Sequence, residues 1–490
     1  MKTDKSRFYI RFQSVVLAVI IVFSMACDDG KESVRLNPKD DGYRGIWHAD
    51  LESNDEYRYI YYSGGLGTST AKHIPMAYYA PEVDKTFFCW GGTASGTNRL
   101  RLMISCYDHA AGTVPRPTIV MEKETEDHHD NPTLMLDDRG YIWVFVSAHG
   151  RIRYAYIYRS DEPYSIDSFS LVSETNFSYP QPWFIRDRGF LFLQTRYIDG
   201  RHLYWQTSPD GVTWSETAKL AAIEEGHYQI SWRFHGKVGT AFNYHPASVA
   251  GGNWDDPEKA GVDPAASGTN NRTNLYYIET DDFGATWQNA AGEKLDIPLT
   301  SAVNSALVHD YRREDLLVYM KDIAFDAAGY PVILYLTSRG SESGPKNGPR
   351  TWTVAHWNGD GWTITPVTVS DNNYDMGSIY AGDDGAWRII GPSEQGPQPF
   401  NCGGEIAVWE SRDEGATWSK IRMVTSGSEY NHSYVRKPVD ARPDFYAFWA
   451  DGHGREISPS RLYMCDRDGL NPVRLPETMT GDSARPLPLQ

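Results

Sequence analysis

The stretch HDNPTLMLDDRGYIWVFVSAH carries a histidine at each end, His129 and His149. Further along stand Tyr179 in SYPQPW, Arg196 in LQTRY, and Tyr244 with His245 in FNYHP. These side chains suit proton transfer beside an anion. A neutral imidazole is a base near neutral pH. A phenol is an acid, and also a base where a cation lowers its ordinary value of about 10. A guanidinium stays charged and grips a carboxylate with two donors. A glycosidase normally needs two carboxyl groups at a set separation, and no convincing pair stands outside the turn motifs described below. The set fits β-elimination on a uronic acid better. There a cation neutralises the carboxylate, a base takes the weakly acidic C5 proton, and an acid protonates the leaving O4. Any one of these rings alone is equally at home as packing.

These groups lie far apart in the chain, so the fold must gather them. The 490 residues include 31 Tyr, 16 Trp, 43 Gly and 28 Pro. Aromatic runs cut by glycine turns predict an all-β protein. A phrase of polar residues, Gly and an aromatic run recurs at 137–147, 186–195, 234–244, 326–336, 383–391 and 441–451. VDKTFFCWGG (83–92) is a first copy. This spacing predicts a seven-bladed β-propeller of four-stranded antiparallel blades, with six blades as the alternative. The innermost strands are expected at 129–136, 178–185, 228–234, 304–311, 375–382 and 431–438. Their leading ends would bring His129, Tyr179, Tyr228, His309, Asp375 and His432 to one rim.

A second phrase, SPDGVTW (208–214), TDDFGATW (280–287) and SRDEGATW (411–418), resembles the Asp-box, or BNR repeat. Its Asp and Ser/Thr side chains bond turn amides, Gly takes positive φ and Trp packs beneath. Those aspartates mark blades rather than chemistry. Long ordered phrases, among them YSGGLGTSTAKHIPMAYYAPEVDKTFFCWGGT (62–93), SYPQPW, LQTRY, GTAFNYHP and NHSYVRKP, together resemble the BNR-repeat family that contains the β-propeller ulvan lyases. The resemblance covers about residues 42–470. It implies a polysaccharide lyase that cleaves the rhamnose–uronate linkage of ulvan and leaves 4,5-unsaturated uronate ends. It also implies site residues His129, His149, Tyr179, Arg196 and Tyr244, with His128 on the flank. In that reading His129, Tyr179 and Arg196 are catalytic, while His149, Tyr244, Arg201 and His245 hold the sugar. Arg151, Arg153, Arg201 and His202 are candidates for a positive island that receives sulfate. The family's structural ion, zinc or calcium, would take His309, Cys402 and His432 as ligands. No organic cofactor is expected.

The N-terminus reads as a targeting device. Lys2, Lys5, Arg7 and Arg11 precede the apolar run VVLAVIIVF, and SMAC ends in Cys27. This resembles a lipoprotein signal of residues 1–27, with Cys27 lipidated. A tether over 28–41 and a single catalytic domain over 42–490 follow. The protein is expected to be exported, as a surface lipoprotein or secreted, and to touch membrane only through that anchor. Cys89 and Cys106 flank one hairpin, and either a disulfide or two buried thiols fits. A net charge of −17 disfavours nucleic acid as partner. An anionic polysaccharide needs a local cationic site on this acidic body. Two other functions compete: a noncatalytic surface glycan-binding lipoprotein, and a sialidase-like hydrolase. The second lacks the expected arginine, because HIP (73–75) stands where Arg-Ile-Pro would announce it.

Overall fold

The computed structural model describes residues 36–52, 57, 60–67, 73–151, 153–246, 270–382 and 384–489. Cys27 lies outside them. Among the described residues seven antiparallel sheets of four or five strands follow one another along the chain, each with its strands in sequence order. This is a seven-bladed β-propeller. The first strands are Ala77–Ala80, Pro132–Leu136, Ser178–Ile185, Gln229–Phe234, Leu317–Phe325, Ser378–Ala381 and Asn431–Arg436. The recurring glycine phrases form the turns into the second strands, such as Ile142–Val146 in blade 2 and Gly189–Tyr197 in blade 3. Those second strands are almost wholly buried, because each blade packs on both faces.

One first strand differs from expectation. Blade 5 begins at Leu317–Phe325, whereas Leu307–His309 is the outermost strand of blade 4. The charged pair Lys321 and Asp322 disguises the true strand as a loop. A register shift between Met320 and Asp322 turns both inward. Lys321 lies 4.2 Å over the Trp352 ring, and Asp322 pairs with Lys437 at 2.9 Å. Lys437 in turn lies 4.0 Å over Trp232. Charges thus reach the buried centre by pairing with each other and with aromatic faces.

Each Asp-box joins the third and fourth strands of its blade. In blade 4, Thr286 N–H donates to Asp282 at 2.8 Å and Gly284 N–H to the Thr280 hydroxyl at 2.8 Å. Gly284 has φ +86°, and a Cβ there would meet the Trp205 ring of blade 3 at 2.5 Å. The turn therefore also fastens neighbouring blades.

Among the described residues no strand is shared between the blade 7 and blade 1 sheets, and the C-terminal Ser483–Ala484 pairs with Val114–Pro115. Residues 36–47 form a strap between blades 7 and 1. Gly45 N–H donates to Ser460 O at 2.8 Å, Ile46 N–H to Gly91 O at 2.9 Å, and Trp47 Nε1 to His453 O at 2.8 Å. Asn37 already donates to Ile119 O at 2.9 Å, so the tether expected up to residue 41 ends by then. The four described cysteines are buried free thiols. Cys89 faces Ile104 and Cys106 faces Phe87 across the hairpin, which sets the two thiols out of register.

Gly284→Ala should cost about 2 kcal/mol or more of unfolding free energy, from positive φ and the Trp205 clash together. Chemical denaturation against the parent protein measures it.

Candidate active site

The rim where second strands end and first strands begin gathers groups from blades 2, 3 and 4. A short turn, His128–Asp130, precedes the first strand of blade 2. Asp127 caps it and accepts from the His129 backbone N–H at 2.9 Å. The same carboxylate accepts from His129 Nδ1 at 2.6 Å and from His149 Nδ1 at 3.2 Å. The two imidazoles stack at 3.9 Å with 10° between their planes. Arg153 donates to Asp127 as well, and to Asp130 at 2.9 Å. Lys123 closes the far side on Asp130 at 2.7 Å. Burial raises the proton affinity of Asp127, but the two histidines outweigh it and hold the carboxyl far below the usual range. Asp127 thus fixes Nδ1 as the protonated nitrogen of both rings and leaves Nε2 as the basic one.

Tyr179 begins blade 3 with φ +53°, a left-handed backbone rare for a tyrosine. The pairing slips between Ser178 and Gln181 to accommodate it. Tyr434 of blade 7 repeats this bulge at φ +55°, so the turn belongs to the fold. What distinguishes Tyr179 is its company. Its ring lies 5.9 Å from His129, 5.7 Å from His73 and 5.6 Å from Tyr228. Tyr197 and Tyr228 are its electrostatic neighbours. Burial, with those two phenols, pushes Tyr179 well above an ordinary phenol, and Arg201 pulls it back only in part. His73 is fully buried, and neither ring nitrogen finds a hydrogen-bond partner among the described residues. Burial first, then the charges of His129 and Arg436, keep it neutral.

Arg201 opens the third strand of blade 3 and donates to the Tyr228 hydroxyl at 3.1 Å. His245 lies 5.1 Å from the Tyr228 ring. His129, His149, Tyr179, Arg201 and His245 therefore form one connected cluster. Arg196 does not sit inside it. The pleat aims Tyr197 at His149, 6.1 Å away. Arg196 faces instead a groove of about 420 Å³ that it lines with Arg151, Arg153, Asn176, Glu174 and Tyr197. Its Nε donates to Gln194 at 3.0 Å, and no described carboxylate pairs with it. Burial lowers its proton affinity. Tyr244 points the other way from His245, and its hydroxyl accepts from Arg312 at 2.6 Å. His202 bonds Asp199 at 3.3 Å, outside the groove.

The expected ion ligands do not meet. His309 is on the outer strand of blade 4 and pairs with Glu314 at 2.5 Å. Both ring nitrogens of His432 are engaged, by Trp449 at 3.0 Å and Ser428 at 2.9 Å. Cys402 is a buried thiol 3.7 Å from the Asn372 side chain. Among the described residues, donor atoms gather closely only in His48/Asp127/His128 and Asp127/His129/His149. Arg153 already places a cation on the carboxylate the two sets share, and the second set is a hydrogen-bond network. Sequence reasoning missed Asp127 and Arg272. Asp127 sits two residues before His129, and a carboxylate so close to a histidine was the available signal.

The profile of the BNR repeat-containing family matches residues 85–370. The chain belongs to this family. Its relatives include an ulvan lyase of Nonlabens ulvanivorans, 24% identical over 334 residues, which span 61% of this chain and 66% of that protein. Another is the PL25 ulvan lyase of Pseudoalteromonas sp. (strain PLSV), 25% identical over 350 residues, 65% of this chain and 67% of the relative. The aligned part is thus about two thirds of each of these two proteins. A solved PL25 ulvan lyase structure superposes with a TM-score of 0.67 at 18% identity, covering 89% of this chain and 96% of that one. The same protein has been solved with a -[GlcA(1-4)Rha3S]- oligosaccharide bound. The superposition shows that this BNR-family chain shares the fold.

Asp127→Ala leaves two imidazole N–H groups and a guanidinium short of an acceptor. It should lower unfolding free energy by about 2–3 kcal/mol at neutral pH. A carboxyl depressed in the native state stabilises above its unfolded value and loses that contribution as pH falls through its native one. The gap between the two proteins should shrink as pH falls below about 4. Denaturant titrations across pH check both.

Proposed function

We propose that this protein is a polysaccharide lyase that cleaves a sulfated, uronate-containing polysaccharide of the ulvan type by β-elimination. One observation carries the reading: a histidine pair locked by Asp127 stands against a buried phenol cluster, beside an arginine without a carboxylate partner. Such a set can move protons next to an anion. The kinship with ulvan lyases supports the same substrate class.

In this mechanism Arg196 and its groove receive the uronate carboxylate and lower the cost of charge at C5. His149 and Tyr197, the more open members, form the wall on which the sugar rests. Tyr179 forms the floor. His129 Nε2 or the Tyr179 oxygen takes the C5 proton, and the electron pair becomes the C4–C5 double bond. The C4–O4 bond breaks and Tyr179 protonates O4. Arg151 lines the same groove and gives sulfate a cationic edge on an acidic protein, whereas Arg153 is held by Asp127 and Asp130. An exported protein anchored through Cys27 would meet such a polymer outside the cell.

Mixed with ulvan, the mature protein should raise ultraviolet absorbance as conjugated double bonds form. Tyr179→Phe should reduce that rate at least about 100-fold while ulvan still binds. A flat trace with new reducing ends would replace the lyase with a hydrolase.

A further inference from the structure

Tyr228 has no role in the mechanism above, yet two guanidiniums lie against its ring. It leads into the first strand of blade 4 and is 5% exposed. Arg201 of blade 3 lies 4.4 Å from its ring and bonds its hydroxyl. Arg272, fully buried, lies 4.5 Å from the ring. Arg272 also contacts further rings: Tyr319 at 4.4 Å, and Tyr374, whose hydroxyl accepts its hydrogen bond at 2.5 Å. Two guanidiniums therefore converge on one phenol, and the ring of that phenol meets the Tyr179 ring edge-on at 5.6 Å.

We propose that Tyr228 is the proton partner of Tyr179: it takes the Tyr179 hydroxyl proton when Tyr179 acts as base, and returns it when Tyr179 acts as acid. This rests on the lyase reading. A lone Tyr179 faces a difficulty in that reading, because burial among neutral phenols holds its proton tightly. Tyr228 is the opposite case. Burial works against its ionised form, but Arg201 and Arg272 outweigh burial and bring it below an ordinary phenol. The other groups facing it are His129 of blade 2, which also lowers it, and His245 of its own blade. Tyr319 of blade 5 and Tyr197 of blade 3 stand near enough to interact with it electrostatically.

The proton count closes. The C5–H bond breaks, and its proton goes to the Tyr179 oxygen as the Tyr179 proton moves to the Tyr228 phenolate. The C–H electrons form the C4–C5 double bond, and the C4–O4 pair leaves on O4. O4 then takes a proton from Tyr179, which recovers its own from Tyr228. The pair ends as it began, and no other reactant is consumed. Tyr228 touches the sugar only through Tyr179, so it is a positioning residue.

The test is Tyr228→Phe, which keeps the ring between the two arginines and removes the hydroxyl. Turnover of ulvan should fall about 100-fold at neutral pH with KM changed less than about twofold, and the ascending limb of the rate–pH profile should move up by about one unit or more. Tyrosinate difference absorbance of the substrate-free protein should show one phenol titrating below about 10 in the parent and in Tyr179→Phe, but not in Tyr228→Phe. Arg201→Met, which leaves the phenol in place, should move the same limb upward. An unshifted limb in Tyr228→Phe, or an acidic phenol that survives in it, would overturn the proposal. If the parent protein forms no unsaturated product, the lyase reading fails by itself, and the titration then decides whether Tyr228 is the acidic phenol.

Discussion

One carboxylate organises the rim. Asp127 accepts from two stacked imidazoles and a guanidinium while capping the turn that carries one of those imidazoles. Two like rings 3.9 Å apart would repel if both were charged. The shared anion removes that penalty and sets which nitrogen of each ring holds the proton. The turn that carries Asp127 leads directly into the first strand of blade 2, so the carboxylate is placed by the blade itself. The ring closure matters for the same reason. The strap of residues 36–47 bridges blades 7 and 1, and a ring that opened there would let the other blades shift against one another.

Charge on this rim is handled by aromatics as much as by acids. The protein carries a net −17, yet Arg201 and Arg272 lie on tyrosine rings, and Arg196 has no described acidic partner. A guanidinium over an aromatic face keeps its charge available to an incoming anion, whereas one locked to a carboxylate does not. At the buried centre Lys321 and Lys437 also lie over tryptophans, but Lys437 is paired with Asp322 as well. Local cationic sites therefore survive on an acidic body.

The fold was largely legible because its signals are local. Glycine turns before aromatic runs counted seven blades, and the Asp-boxes marked three of their outer turns. His129, His149 and Tyr179 were legible because they open or close strands whose ends a propeller must bring together. Pleat parity was not legible. A one-residue choice separates Tyr197 from Arg196, and Tyr197 is the one that reaches the aromatic cluster; of Tyr244 and His245, both expected to hold the sugar, only His245 does. Blade 5 was misread because Lys321 and Asp322 look like loop residues until their partners on other blades are known. The ion ligands failed for a related reason. His309 was assigned to an inner strand, and His432 is satisfied by Trp449 and Ser428, which no spacing reveals. Asp127 was passed over because its partner His149 lies 22 residues away.

In the proposed reaction bonds break by elimination, with no water added. Cleavage of ulvan in water enriched in heavy oxygen, followed by mass spectrometry of the new ends, tests it directly. The account predicts fragments whose uronate end is one water lighter than a hydrolysed end and which carry no heavy oxygen at the cut. Fragments of full hydrolysed mass, each with one heavy oxygen, would contradict it.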